Sequence, residues 1–307
     1  MRSTLMALTA ALALSGCALR GPAPAARPQV PLGSWVELEV RSPETGVSYR
    51  YLHHPGPSPT SAAMLLLPGG IFDNRIWLYS DDLAHHFALY ALDWPDQSPL
   101  YDGRVEALGA SAADFARSMD LGGFHLAGVS AGGFAAVDLA SRFPELEPLS
   151  LTLISTLTFS ITREEVRKRS RMGRLAGRLP DPLLAGIIQR RALSTPYDPA
   201  PGEVQQPDIF WVRAASYYDQ IFGISVAQGS RRQATEAVGV PVLVLHGTDD
   251  EIMPIDTARL TPGAYADATM IELPGYGHAM LFSHGPELAE HMLEHLASHA
   301  LLPGLED

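Results

Sequence analysis

Cysteine is almost absent from this chain of 307 residues, since Cys17 is the only one. A single thiol excludes an internal disulfide and a metal site built from several thiolates. Charge is also sparse: 18% of the residues are charged, no long run of like charge occurs, and 34 acidic side chains outnumber 22 basic ones. The net charge of −12 repels a polyanion, which excludes nucleic acid as a partner. With 46% hydrophobic residues, the composition predicts a globular chain with room for one α/β domain and an insertion.

The N-terminus has the features of a secretory signal. Arg2 precedes an apolar run from Leu5 to Leu14, and Leu14-Ser15-Gly16-Cys17 ends it. This arrangement resembles the lipobox of bacterial lipoproteins, in which the cysteine is lipidated and becomes the mature N-terminus. The resemblance implies a signal peptide over residues 1–16, a lipid anchor on Cys17 and attachment to a membrane of the bacterial cell envelope, outside the cytoplasm. The alternative is an ordinary signal peptide that contains a cysteine by chance.

Beyond the signal, the pattern predicts a Pro/Ala-rich tether over residues 17–33 and one folded domain over 34–303. Continuous apolar runs, as in buried parallel strands, occur at 64–67, 87–92, 124–127, 149–154, 240–245 and 269–273. Helical patterns occur at 74–86, 104–119, 131–143 and 286–301, and an antiparallel entry hairpin is expected at 35–40 and 47–52. The alternation predicts an α/β fold with a mostly parallel, doubly wound sheet. Residues 156–236 lack the strand pattern and are predicted to form an inserted helical cap.

The segment Gly128-Val129-Ser130-Ala131-Gly132 places a glycine two residues away on each side of a serine. A serine lifted clear of a parallel sheet needs a sharp turn, which leaves no room for side chains on its neighbours. A predicted strand precedes this segment and a predicted helix follows it. We therefore expect Ser130 to be a nucleophile; the alternative is a small residue in a glycine-rich turn.

A serine hydroxyl needs a base to remove its proton. His278 lies in the loop Pro274-Gly275-Tyr276-Gly277-His278 after the last predicted strand, where the glycines let the chain turn over the carboxyl edge of the sheet. His246, in front of a tight turn, and His284, at the start of the final helix, are the alternatives. Loop placement favours His278.

The acid that orients this histidine has three candidates after the predicted strand 240–245, namely Asp249, Asp250 and Glu251. At this point the chain resembles the α/β-hydrolase superfamily, because Gly247-Thr248-Asp249-Asp250-Glu251-Ile252-Met253-Pro254 is similar to its G-x-x-D-x-x-x-P pattern, with Asp250 at the matching position. The order nucleophile, acid, histidine at 130, 250 and 278 is the order that this superfamily uses. A simple turn aspartate is the alternative for Asp250.

The resemblance implies an α/β-hydrolase fold and two backbone N–H donors for an oxyanion. One is Ala131, directly after the nucleophile. The other is Gly70 in Pro68-Gly69-Gly70-Ile71, which stands where the superfamily has a His-Gly turn, with Ile71 one register away. Two segments depart from the family pattern: Pro68 replaces the usual histidine, and Leu92-Asp93-Trp94-Pro95-Asp96-Gln97-Ser98 lacks the usual glycines. Both are expected to reshape the mouth of the pocket.

These residues predict a serine hydrolase that cleaves a small-molecule carboxylic ester through an acyl-enzyme, with no cofactor. Acyl transfer, amide cleavage and carbon–carbon bond hydrolysis on the same triad are alternatives, and a non-catalytic binding lipoprotein is another. Ile71 and the cap aromatics Trp211 and Tyr217 are expected to line an apolar substrate site, with core packing as the alternative for the aromatics.

Two groups of charged or titratable residues lie outside the predicted triad. The histidine pairs 53–54 and 85–86 are predicted to lie on the surface and to bind no metal, because adjacent side chains point apart. The basic segment from Arg163 to Arg178 is interpreted as a solvated cap helix, or else as a contact for anionic headgroups or an acidic substrate.

Overall fold

A computed structural model describes residues 31–70, 73–95, 105–157 and 235–303. These residues form one eight-stranded sheet with the order β1-β2-β4-β3-β5-β6-β7-β8. Its strands are β1 (Val36–Arg41), β2 (Ser48–His54), β3 (Ala63–Leu67), β4 (Ala88–Leu92), β5 (Phe124–Val129), β6 (Pro148–Ile154), β7 (Val242–Gly247) and β8 (Ala268–Leu273). β2 pairs antiparallel with β1 and β4, and every other pair of neighbours is parallel. The predicted mostly parallel α/β sheet is confirmed.

Both faces of the sheet are covered over the central strands β3 to β7, which explains why these strands are nearly continuous apolar runs. Successive side chains of a strand point to opposite faces. Leu65 and Leu67 therefore belong to one core cluster, with residues of the helices α1 (Val105–Ser118) and α2 (Ala131–Arg142). Met64 and Leu66 belong to a second cluster, with residues of α4 (Met280–Ser298). A further short helix, α3 (Ile255–Ala258), follows β7.

The predicted helical segment over 74–86 is present, but it consists of two short 3-10 helices, Asn74–Tyr79 and Asp81–His85, and not of one α-helix. The Asp73 side chain accepts a hydrogen bond from the Arg75 N–H and so begins the first of them. Ser80, with φ −115° and ψ 31°, separates the two. The break leaves no continuous α-helical ladder over this segment.

The final helix begins at Met280, earlier than the predicted start at Pro286. It is kinked at His284, whose φ of −138° and ψ of 28° are not helical. Pro286 has no N–H to donate and its ring crowds the preceding turn, which accounts for the bend. His284 therefore lies inside the helix rather than at its start.

The carboxyl ends of β5, β7 and β8 meet at one edge, since these strands run in the same direction. Loops at such an edge are where α/β proteins place their ligands. Cys17, the predicted signal peptide and nearly all of the predicted cap lie outside the described residues. Over the described ranges, no helix combines the length and the hydropathy that crossing a bilayer needs.

Candidate active site

Ser130 is the single residue between the end of β5 at Val129 and the start of α2 at Ala131. Its φ of 52° lies in the left-handed region, which a residue with a side chain rarely adopts. The Ser130 N–H donates to the Ile154 carbonyl at 2.9 Å, and its own carbonyl accepts from the Gly133 N–H at 3.0 Å. The strained residue is therefore held from both sides, and its side chain is half-buried at the carboxyl edge of the sheet.

The two glycines that flank Ser130 are required by close backbone packing. A Cβ on Gly128 would lie 2.5 Å from the Gly133 nitrogen, and a Cβ on Gly132 would lie 2.5 Å from the Pro68 carbonyl oxygen. Both distances are far below a normal van der Waals contact. The sharp turn thus needs glycine at both positions, as the sequence pattern predicts.

The structure brings Ser130, His278 and Asp250 together in one line of hydrogen bonds. The Ser130 hydroxyl lies 3.1 Å from His278 Nε2, and His278 Nδ1 lies 2.8 Å from Asp250 Oδ2. With the Nδ1–H donating to the carboxylate, Nε2 keeps its lone pair and accepts the Ser130 O–H. His278 is 2% exposed and Asp250 is 4% exposed, so the base and the acid are both shielded from water.

The loops that carry Asp250 and His278 are tied to each other by backbone hydrogen bonds. The Asp249 N–H donates to the Tyr276 carbonyl at 3.0 Å, and the Thr248 N–H donates to the Leu273 carbonyl at 3.0 Å. The Gly275 N–H donates to the Thr248 hydroxyl at 2.9 Å. These bonds set the spacing between the acid and the histidine.

The Asp250 carboxylate is stabilised in its charged form. Its Oδ1 accepts hydrogen bonds from the N–H groups of Ile252 at 2.9 Å and Met253 at 2.7 Å. Burial raises the pKa of this carboxyl, but His278 beside it and the Met253 N–H outweigh burial, so the net pKa lies below its usual value. Asp250 is thus a buried carboxylate that stays ionised beside an imidazole.

His246, which the sequence offered as an alternative base, contacts Asp250 and not Ser130. It is fully buried, and its Nε2–H donates to the Met253 carbonyl at 2.7 Å. The same nitrogen is 3.4 Å from Asp250 Oδ2. Burial, the largest cause, lowers the pKa of this imidazole, which keeps it neutral. Its contact with Asp250 was missed from sequence, although its position directly before the Gly247 turn was a usable signal.

His284 and Asp249 have partners of their own, away from Ser130. His284 Nδ1 lies 2.7 Å from the Ser283 hydroxyl, and its ring stacks on Tyr276. Asp249 Oδ1 accepts a hydrogen bond from the Thr248 hydroxyl at 3.0 Å. Among the candidate bases and acids, the line from Ser130 therefore runs through His278 and Asp250.

The two expected N–H donors follow the carboxyl ends of adjacent strands. β3 pairs with β5 so that Leu67 stands opposite Gly128, and Gly70 and Ala131 each follow three residues later. Ala131 is the first residue of α2, where backbone N–H groups have no partner within the helix. Gly70 is buried in the turn after β3. Ile71, Trp211, Tyr217 and the basic segment lie outside the described residues.

Metal-binding groups of three or more His, Cys, Asp or Glu side chains do not occur in the part of the chain that the structure describes. The paired histidines at 53–54 and 85–86 have protein partners or solvent instead. His53 Nδ1, for example, lies 3.0 Å from the Leu89 carbonyl oxygen.

Comparison of the sequence with known proteins gives one family. The sequence model of the Alpha/beta hydrolase family matches residues 64–291. A biotin biosynthesis bifunctional protein, BioHC of Teredinibacter turnerae, is 24% identical over 285 residues, which covers 82% of this chain and 48% of that protein. A non-heme chloroperoxidase of Burkholderia pyrrocinia is 38% identical over 69 residues, which is 22% of this chain and 24% of that protein. The chain therefore spans less than half the length of either curated relative.

Solved structures share the fold at low sequence identity. A membrane phospholipase A, described as a bacterial virulence factor, is 22% identical with a TM-score of 0.71, covering 97% of this chain and 99% of that one. A thermophilic esterase from Thermogutta terrifontis is 18% identical with a TM-score of 0.66, covering 86% and 98%. The enol-lactonase from Burkholderia xenovorans is 19% identical with a TM-score of 0.69, covering 85% and 100%.

Proposed function

The chain belongs to the alpha/beta hydrolase family, and from that premise we propose that it is a serine hydrolase that cleaves a small-molecule carboxylic ester through an acyl-enzyme. The observation that carries the proposal is the line of hydrogen bonds from the Ser130 hydroxyl through His278 to Asp250, with distances of 3.1 and 2.8 Å. A hydroxyl within reach of a neutral imidazole, itself oriented by a buried carboxylate, is the arrangement that activates a serine.

In the first half of the reaction, Ser130 Oγ bonds to the ester carbonyl carbon as its proton passes to His278 Nε2. The carbonyl electron pair moves onto oxygen, and the N–H groups of Ala131 and Gly70 donate to this oxyanion. When the carbonyl re-forms, the bond to the alcohol oxygen breaks, and the leaving alcohol takes the proton from Nε2. Ser130 then carries the acyl group.

In the second half, water takes the place of the alcohol. His278 Nε2 accepts a proton from the water as its oxygen bonds to the acyl carbon, and Ser130 Oγ takes that proton back as it leaves. Asp250 remains a carboxylate throughout, because its lowered pKa keeps it ionised, and it stabilises the imidazolium that forms twice in each cycle. The acid is released and the enzyme is restored.

The choice of an ester is supported by the solved structures of the same fold, which include an esterase and an enol-lactonase. Acyl transfer, amide cleavage and carbon–carbon bond hydrolysis would use the same residues. A panel of p-nitrophenyl esters graded by acyl length tests the ester proposal and ranks the acyl groups. One possible result is that the protein reacts with a serine-directed probe and yet releases no acid or alcohol from any ester in the panel. That result would favour acyl transfer, amide cleavage or carbon–carbon bond hydrolysis.

The nucleophile is tested separately with a fluorophosphonate probe, which phosphonylates activated serines. We expect the wild type to be labelled and Ser130→Ala to show no labelling. Ser58→Ala is the matched control, since Ser58 is exposed in a loop and is expected to leave labelling unchanged. Equal labelling of Ser130→Ala and the wild type would rule out Ser130 as the nucleophile.

We also propose that the enzyme is held on a membrane of the bacterial cell envelope by a lipid on Cys17. The support is the lipobox-like segment Leu14-Ser15-Gly16-Cys17 after an apolar run. Expression in a bacterial host followed by fractionation tests the proposal: the wild type is expected in the membrane fraction, and Cys17→Ser is expected to leave it. Unchanged membrane recovery of Cys17→Ser would count against a lipid anchor.

A further inference from the structure

The two segments that depart from the family pattern touch each other in the structure. The indole Nε1–H of Trp94 donates a hydrogen bond to the Pro68 carbonyl oxygen at 3.1 Å. The Trp94 side chain is fully buried, and Pro68 is buried as well. We propose that Trp94 is a positioning residue that holds the oxyanion turn, defined as residues 67–70, in its working conformation. The inference deepens the proposed function and rests on it.

The turn needs an external anchor because of its own sequence. Pro68 is followed by Gly69 and Gly70, which have no side chains to pack and which adopt a wide range of backbone angles. In a planar trans peptide, the Pro68 C=O and the Gly69 N–H point in opposite directions. Anchoring the Pro68 oxygen therefore fixes this peptide plane, and with it the direction in which the chain enters Gly70.

The turn is also in contact with the start of α2. A Cβ on Gly132 would lie 2.5 Å from the Pro68 oxygen, so the turn packs directly on the backbone next to Ala131. The Pro68 carbonyl is thus in contact with both the Trp94 indole and the segment that supplies the other oxyanion donor. This arrangement fixes the spacing between the N–H groups of Gly70 and Ala131.

Trp94 is itself anchored to the sheet through the residue before it. The Asp93 N–H donates to the Arg50 carbonyl at 2.9 Å, and the Asp93 carboxylate pairs with the Arg50 guanidinium at 3.1 Å. Asp93 is 2% exposed, so this pair is shielded on the carboxylate side. The anchor therefore runs from β2 through Asp93 and Trp94 to the Pro68 carbonyl.

An oxyanion exists in the transition state and not in the bound ester, so a displaced donor lowers kcat and leaves KM almost unchanged. Removing one oxyanion donor outright lowers kcat about 100- to 1,000-fold. Loss of the Trp94 hydrogen bond displaces a donor without removing it. We expect a smaller fall, of about 5- to 50-fold in kcat, with KM within about threefold.

The experiment compares Trp94→Phe with Trp77→Phe. Trp77 is also fully buried, but its Nε1 has no hydrogen-bond partner among the described residues, so the same substitution there removes ring size without removing a bond. We expect Trp94→Phe to lower kcat and Trp77→Phe to leave it within about twofold. The rate of fluorophosphonate labelling should fall in parallel with kcat, since the phosphonyl oxygen occupies the same donors.

A second variant covers the case in which Trp94→Phe unfolds. Incorporation of 3-benzothienylalanine at position 94 keeps the size and shape of the indole and replaces its N–H with sulfur. We expect this variant to melt close to the wild type and still to show the fall in kcat. A trifluoromethyl ketone, whose adduct with Ser130 carries an oxyanion, should lose affinity by about the same factor.

The outcomes separate the inference from the proposed function. If the wild type is labelled and active while the benzothienyl variant keeps its kcat and its labelling rate, the positioning role of Trp94 is wrong and the hydrolase proposal stands. A rise in KM at constant kcat would also overturn it. If the wild type is labelled but cleaves no ester, the labelling rates still decide the role of Trp94 and the ester proposal alone fails. If the wild type is not labelled, both fail.

Discussion

The Nε2 atom of His246 lies 3.4 Å from Oδ2 of Asp250, the same oxygen that accepts the hydrogen bond from His278. The acid of the site is therefore flanked by two imidazoles, of which His278 alone is hydrogen-bonded to Ser130. Because burial lowers the pKa of His246, this imidazole acts on the carboxylate through its N–H dipole and not through a positive charge. Its N–H also holds the Met253 carbonyl, which fixes the turn that wraps the other carboxylate oxygen.

Replacing His246 should therefore remove part of the support for the Asp250 carboxylate while leaving the carboxylate in place. His246→Met keeps most of the volume but leaves the Met253 carbonyl without its donor, which should lower the free energy of unfolding by about 1–3 kcal/mol. His246→Gln keeps an N–H donor and should lose less stability and less kcat/KM. Urea denaturation and ester hydrolysis measure the two effects. Equal losses in the two variants would show that the N–H of His246 is not what supports Asp250.

Gly132→Ala should disrupt the contact between α2 and the oxyanion turn. The added Cβ would lie 2.5 Å from the Pro68 carbonyl oxygen, a backbone atom that cannot move aside as a flexible side chain would. We expect a loss of about 1–3 kcal/mol or more in the free energy of unfolding and a fall in kcat. Gly239→Ala is the matched control, because a Cβ there meets nothing within 4 Å and should change stability by less than about 0.5 kcal/mol.

The sheet was predictable because its strands carry a local signal. Strands buried on both faces are continuous apolar runs, and all six such runs are strands in the structure, with ends shifted by a few residues. The segment 74–86 was predicted as helical without its type. Its division at Ser80 into two 3-10 helices depends on backbone angles that a helical pattern in the sequence does not specify.

A site residue was predictable from sequence where its own turn carries a recognisable pattern. It was not predictable where its role comes from a contact with a distant part of the chain. The glycines around Ser130 and before His278 mark turns at the carboxyl edge of the sheet, and parallel strands bring such turns together. The contact of Trp94 with Pro68 is different, because it depends on how two separate loops pack, and no local pattern at Trp94 indicates its partner. His246 and Asp250 lie four residues apart around one turn, so their contact had a local signal in the sequence that was missed.

Asp114 is expected to be a stability determinant far from the proposed chemistry. Its carboxylate accepts hydrogen bonds from the hydroxyl groups of Ser42, Thr45 and Tyr49, each at 2.7 Å, and so ties the entry hairpin to α1. Burial, followed by the nearby Asp114, raises the pKa of Tyr49, which keeps its hydroxyl protonated as a donor. Asp114→Asn replaces an acceptor oxygen with an NH₂ group that cannot accept. We expect a loss of about 1–3 kcal/mol in the free energy of unfolding with kcat unchanged.

Asp120→Asn is the matched control for that measurement. Asp120 is exposed and has a φ of 51°, a conformation that asparagine tolerates well. The free energy of unfolding of Asp120→Asn should therefore equal that of the wild type. If urea denaturation of Asp114→Asn also matched the wild type, the three hydroxyl contacts would contribute no net stability.

His125 should make folding stability depend on pH. This imidazole is 2% exposed, lies 2.9 Å from the Ser150 hydroxyl, and burial lowers its pKa to about 4. An unfolded histidine titrates near 6.5, so between about pH 6.5 and 4 the unfolded chain binds more protons than the folded one. The free energy of unfolding should therefore fall by up to about 3 kcal/mol as the pH drops through this window.

His125→Gln removes the titration while keeping a side chain that can hydrogen-bond to Ser150. Its free energy of unfolding, measured by urea denaturation at several pH values, should fall less steeply between pH 6.5 and 4 than that of the wild type. The exposed His85 supplies the control, and His85→Gln should keep the wild-type slope. A His125→Gln curve parallel to the wild-type curve would mean that the buried imidazole is already protonated in the folded state. That outcome would contradict the neutral His125 on which this prediction depends.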